Sequence, residues 1–185
     1  MISSSWFWKE ELARQVVEFD ASWERLRKTD WCDRSRFHME RTLFYSAMAI
    51  RRLIDSHKLT DKLARQSLTM EAFKAKAKKP HTVRSQLGSV SVDQWFEMDK
   101  PEQVSLTPHQ LASEILHSFT LEILIDESHV ELDSILVASD WNQFKRAIVI
   151  PKTTWLNLLR AVVADEVMSM SVTRKEDGNP EIKIS

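Results

Sequence analysis

Several stretches of this chain hold residue types that do chemistry at suggestive spacings. In RRLIDSH, Arg52 and His57 stand with four residues between them near the end of a helix-like run. A histidine that moves a proton beside an arginine that stabilises a charged phosphate is sufficient equipment for metal-free RNA cleavage. The plainer alternative is a surface arginine and a helix-end histidine favoured by the dipole, and on a helical wheel the two differ by about 140°. A second group is basic: Lys74, Lys76, Lys78, Lys79 and Arg84 lie close together, with Phe73 and His81 beside them. Such a density suits a phosphate backbone, and the rings could stack on bases. No recognition-helix or RNA-binding-module signature accompanies the run, and charge runs in connectors are commonly just solvated. Third, ASEILHSFTLEILID puts His117 inside an apolar stretch.

Other chemistries find little support. No His-Glu-x-x-His is present, and His109, His117 and His129 are not spaced as metal ligands, so neither a metal nor a cofactor is expected. Only Gly88 and Gly178 occur, so the glycine-rich loops that cradle phosphates in dinucleotide and P-loop folds cannot be written. Serine nucleophile elbows and cysteine triads have no motif either. His38, Arg41, Tyr45, Arg52 and Ser56 share a narrow arc of one helix, where they could clamp an anion or meet acidic side chains such as Asp126, Glu127 or Glu131.

These residues need elements to hold them. Trp8, Leu12, Val16, Phe19, Trp23 and Leu26 recur at steps of three and four, which predicts an amphipathic helix. Met39, Leu43, Ala47, Ile50 and Ile54, widened by Phe44 and Met48, predict a second helix over about 33–57 that pairs with it. Residues 59–81 read as a mobile basic connector, with a short helix capped by Thr60 or Thr69. Val83, Leu87, Val90 and Val92 around Gly88 read as a bent strand. LTPHQL carries Thr107 as N-cap, Pro108 in the first turn, Gln110 closing a capping box and Leu106 stapled to Leu111. The helix it starts has a stripe through Leu111, Ala112, Ile115, Leu116 and Phe119, with His117 nearly opposite. LEILID, SILVAS and RAIVI read as strands, and Pro151 begins a last helix. Met168, Met170 and Val172 alternate with serines and a threonine, predicting a hairpin with one buried face.

The expected fold is therefore α+β: an N-terminal helical hairpin packed with a small, mostly antiparallel sheet and two further helices. A single domain over 1–185 divides into the hairpin, 1–58, the connector, 59–81, and strands with helices, 82–185. The length supports a proper core, and Cys32, the single cysteine, rules out an internal disulfide and suits a reducing compartment. No basic-flanked apolar leader or run of roughly 18 apolar residues is seen, so a cytoplasmic protein without a membrane partner is expected. Residues 1–84 carry 18 Lys/Arg against 11 Asp/Glu and residues 85–185 carry 8 against 16, so the parts are +7 and −8. Two such parts attract each other; a basic face for nucleic acid is the other reading.

LFYSAMAIRRLIDSHKL, LASEILHSFTLE and ILVASDW together resemble segments shared by a family of uncharacterised bacterial proteins, across roughly 40–165. His117-Ser118 and Ser139-Asp140 match that pattern, whereas Ser113 or Glu114 stands where the family carries an asparagine. The resemblance implies no activity, but it suggests that His117 is a buried, hydrogen-bonded structural imidazole paired with Asp140 across the sheet. The Arg52–His57 spacing is similar to the Arg-x4–6-His motif of the HEPN superfamily, over one helix only and without the polar residue that follows the arginine there. The expected function is a non-enzymatic binding module for a protein, itself or another, placed by analogy beside a bacterial mobile element or defence system. The alternatives are a HEPN-like, metal-independent ribonuclease using Arg52 and His57 and a nucleic-acid-binding accessory protein using residues 74–84.

Overall fold

Spacing at threes and fours brings the first apolar stripe to one side of a helix. The computed structural model, which describes residues 4–28, 33–76, 92–125, 133–174 and 180–185, forms that helix as α1, Trp6–Lys28. Leu12, Phe19, Trp23 and Leu26 are buried, and Trp8 and Val16 pack against the same core. Helix α2, Asp33–Asp55, lies against it and buries Met39, Leu43, Ala47 and Ile50, while Met48 is exposed. The expected N-terminal helix pair is present. Cys32 lies outside the described residues.

In the stretch expected as a mobile connector, residues 61–64 form a helix and residues 68–75 a strand. Helix α3, Asp61–Ala64, is capped by the Thr60 hydroxyl, which accepts from the Leu63 amide at 3.4 Å. Strand β1, Leu68–Ala75, follows, with buried Leu68, Met70 and Ala72 alternating with exposed Thr69 and Glu71. That period of two belongs to a strand, and pairing on both edges overrides the weak local preference of a polar, lysine-bearing segment. The bent strand expected through Val83, Leu87 and Val90 lies outside the described residues, and Val92 instead opens a short helix, α4, Val92–Trp95.

Strand β2, Phe96–Leu106, leads into helix α5, Pro108–Leu116, with the capping box complete. The Thr107 hydroxyl accepts the Gln110 amide at 3.3 Å, and Gln110 Oε1 accepts the Thr107 amide at 2.9 Å. Strands β3, Ser118–Leu124, β4, Ser134–Ser139, and β5, Arg146–Pro151, come next, then helix α6, Lys152–Ala164. The sheet order is β2-β1-β5-β4-β3 with every neighbouring pair antiparallel. Met70, Ile135, Val137, Ile148 and Ile150 join the core with α1, α2, α5 and α6, whereas Phe73, Phe96, Leu136, Ala138 and Ala147 form a second cluster. Alternation along β4 and β5 assigns these clusters to opposite faces. On the edge strand β2, exposed Asp99, Lys100, Pro101 and Glu102 oppose pairing with another chain. The fold is α+β.

Opposite charges join the two parts of the chain. Arg27 on α1 pairs with the fully buried carboxylate of Asp133, and Arg36 on α2 reaches Glu122 at 3.5 Å on β3. Burial works against the Arg36 charge, but the carboxylates of Glu40 and Glu122 outweigh it and raise its pKa. Lys152 runs the other way, lying 2.8 Å from Asp20 and over the ring of Trp23.

A hairpin of β6, Met170–Arg174, and β7, Pro180–Ile184, closes the fold as a separate two-stranded sheet. Its expected buried face is not buried along β6: Met168 is 83% exposed, Met170 60% and Val172 62%. Alternation shows which side chains share a face, but coverage of that face depends on another layer. The β7 side is docked through buried Ile184, whose amide donates to Asp61 Oδ2 at 3.1 Å. Among the described residues, no helix is long and apolar enough to cross a membrane.

Candidate functional site

Antiparallel pairing brings the end of β1, the start of β5, the end of β4 and the start of β3 to one end of the sheet. The turn between β4 and β5 is closed by its own backbone: the amides of Asn142 and Gln143 donate to the Ser139 carbonyl at 3.0 and 2.8 Å. The carbonyl of Asn142 then accepts from Lys145 at 2.7 Å and Arg146 at 2.9 Å. Two side chains tie the turn inward. Asn142 Nδ2 donates to buried Glu114 of α5 at 2.5 Å, and Gln143 Nε2 donates to the Asp140 carbonyl at 2.9 Å. Trp141 and Phe144 point outward from this held turn, 51% and 68% exposed.

His117 ends α5 as its C-cap, and its carbonyl accepts the Asp140 amide at 2.9 Å. The two residues singled out by resemblance therefore meet, but through backbone. Both side chains are exposed, so the expected buried imidazole is overturned. Asp140 Oδ1 instead accepts the Trp141 amide at 2.9 Å. The imidazole of His117 packs on Trp141 with ring centroids 4.5 Å apart and faces Arg51 Nη1 at 3.5 Å. Arg51 Nε also lies 3.8 Å from Asp55, whose other oxygen accepts from His109 Nε2 at 3.2 Å. A chain of polar and aromatic side chains thus runs from His109 through Asp55, Arg51 and His117 to Trp141.

The register of β1 against β5 sets Lys74 opposite Arg146, and the Ala75 amide donates to the Lys145 carbonyl at 2.8 Å. Lys74 and Lys76 therefore reach the same sheet end as the turn. Lys74 pairs with Glu102 at 2.5 Å, a contact that raises its pKa, and Lys76 Nζ donates to the Asp93 carbonyl at 2.5 Å. Lys78, Lys79 and Arg84 lie outside the described residues.

Arg52 is exposed on α2, and His57 lies beyond its end with φ 55°. The His57 amide donates to Ile54 at 2.9 Å and the Lys58 amide to Leu53 at 2.8 Å, the two bonds of a Schellman closure with His57 at its left-handed position. His57 thus has a helix-ending role that its sequence position concealed. The arginine and histidine that the tertiary structure brings together are Arg51 and His117. Their separation of 66 positions leaves no local signal.

A second surface lies elsewhere. The start of α1 and the segment after α6 enclose a cleft of about 550 Å³ lined by Trp6, Lys9, Val163, Asp165, Val167 and Met168 among others. Burial lowers the Lys9 pKa against the opposing charges of Asp165 and Glu166, and its amine donates to the Asp165 carbonyl. Exposed Trp6 and Phe7 stand edge to face at one side. Of the polar stripe on α2, Tyr45 is partly buried, and the acidic partners expected for it at Asp126, Glu127 and Glu131 lie outside the described residues.

Among the described residues, no group of three or more His, Cys, Asp or Glu is placed to hold a metal ion. No protein-family model, curated protein or solved structure matches the chain.

Proposed function

We propose that this protein is a non-enzymatic binding module that docks a protein partner, in a cytoplasmic setting that suits its single cysteine. The observation that carries the reading is the apolar surface formed by Trp6, Phe7, Met168, Met170 and Val172, all exposed, at and beside the cleft. Aromatic and methionine side chains are enriched at interface centres, and a contiguous exposed apolar patch marks a recognition surface more often than an idle one. The half-docked hairpin supports the same reading. Met170 is opposite Ile184 and Val172 opposite Ile182 across the strand pair, so one apolar face passes from a buried edge to an open one. The partner is a protein segment with apolar anchor side chains that continue this face and enter the cleft.

The test compares wild type with a Phe7→Ser, Met168→Ser, Met170→Ser variant in affinity purification from the cells that make the protein. Sedimentation velocity on both forms separates self-association from binding another chain. The expected result is a protein, or a second copy, held by wild type and lost from a correctly folded variant. Identical bound proteins and identical sedimentation for the two forms would remove the reading.

A further inference from the structure

We propose that the sheet end carrying Arg51, His117, Trp141, Phe144, Lys145 and Arg146 binds single-stranded nucleic acid, a function separate from protein docking at the cleft. The turn presents two large rings to solvent while Asn142 and Gln143 hold it from beneath, so the rings are displayed on a fixed support. A rigid exposed aromatic offers a stacking face with little entropy left to lose on binding. Two cationic residues, Lys145 and Arg146, directly follow Phe144 in the chain. Lys145 and Arg146 have no carboxylate within ion-pair distance among the described residues, and Arg51 lies beyond His117. Asp140, the turn's own carboxylate, is engaged by the Trp141 amide.

Phosphates and planar bases are the ligand chemistry that uses both features together. An acidic peptide would satisfy the cations but has no bases for the rings, and a duplex keeps its bases stacked on one another. From β1 to β3 the patch crosses three strand spacings, roughly 14 Å, which suits several linked nucleotides rather than one. Phosphates lie on Arg51, Lys145 and Arg146, and bases on Trp141 and Phe144. RNA and DNA strands both carry the phosphates and planar bases that this surface uses, so both are expected to bind.

Fluorescence anisotropy tests this with labelled oligothymidylate and oligouridylate of about twelve nucleotides, within the length such surfaces cover. An abasic strand of equal length, a duplex and polyglutamate are the comparison ligands. Both base-bearing strands are expected to bind, more weakly as salt rises. Trp141→Ala and Phe144→Ala, each checked for folding by circular dichroism, should each weaken binding by about five- to hundredfold. The abasic strand should bind wild type no better than it binds these variants. Lys145→Ala should lower the slope of log affinity against log salt by about one. Absence of binding to both base-bearing strands at low salt overturns the proposal. So does equal binding of the abasic strand or polyglutamate, or unchanged binding by the folded ring variants. The Phe7, Met168 and Met170 substitutions should leave oligonucleotide binding intact, so failure here is distinguishable from failure of the protein-docking reading.

Discussion

The imidazole of His117 lies 4.5 Å from the indole of Trp141, centroid to centroid, with the planes tilted by 43°. An exposed ring pair of this kind positions groups at a surface and contributes little to the core. His117→Ala is expected to change stability by no more than about 0.5 kcal/mol, as for substitutions away from buried features. Denaturant unfolding checks this. In the NMR spectrum, Trp141→Ala should also shift the His117 ring protons by removing the ring current.

His57 closes α2 in the left-handed region that glycine enters without a side-chain penalty. His57→Gly is therefore expected to stabilise the fold by about 0.5–1 kcal/mol, offset in part by the greater freedom of glycine in the unfolded chain. For a chain of this size that raises the melting temperature by about 1–4 °C. A fall of several degrees in a thermal melt would show that the histidine side chain itself supports the helix end.

Arg27 and Asp133 join α1 to the segment leading into β4, and Asp133 is fully buried. Asp133→Ala leaves a largely desolvated guanidinium without this partner and is expected to cost about 3–5 kcal/mol. The double change Arg27→Met, Asp133→Leu should recover most of that loss, because it removes both buried charges. Urea titrations of the three forms measure it.

Tyr45 is the single tyrosine, so its phenolate absorbance reports one site. Burial, assisted by the negative charge of Glu11, raises its pKa. The native protein should ionise at higher pH than the denatured chain, whose midpoint is about 10. A group raised in the folded state keeps its contribution below the unfolded pKa and loses it as pH rises through the folded value. Stability should fall across that alkaline window by more in wild type than in Tyr45→Phe, as read by unfolding at a series of alkaline pH values.

The hairpin offers an internal comparison. Met170→Ser and Val172→Thr replace exposed side chains and should each change stability by no more than about 0.5 kcal/mol. Ile184→Ala empties a buried position on the same face and should cost about 2–4 kcal/mol. Equal losses at all three positions in chemical unfolding would mean that the β6 side is covered in solution.

The sequence by itself determined what local chemistry controls. Thr107, Pro108 and Gln110 specify the start of α5 because capping bonds span three residues, and the stripes from Trp8 to Leu26 and from Met39 to Ile54 specify two helices because their period matches the helical turn. Strands β3, β4 and β5 were legible from short apolar runs. Strand β1 was not, because its threonine, glutamate and lysine mask the alternation of Leu68, Met70 and Ala72, and its identity depends on the strands either side. Tertiary structure alone decided which faces are covered. The same alternation that puts Met170 and Ile184 on one face leaves the first in solvent and buries the second, whose backbone docks on Asp61 of α3. It also decided the candidate site. Arg51, His117 and Trp141 come from three distant segments, and packing of α5 against α2 and β4 brings them together. No periodicity or motif within a single segment encodes a meeting of that kind.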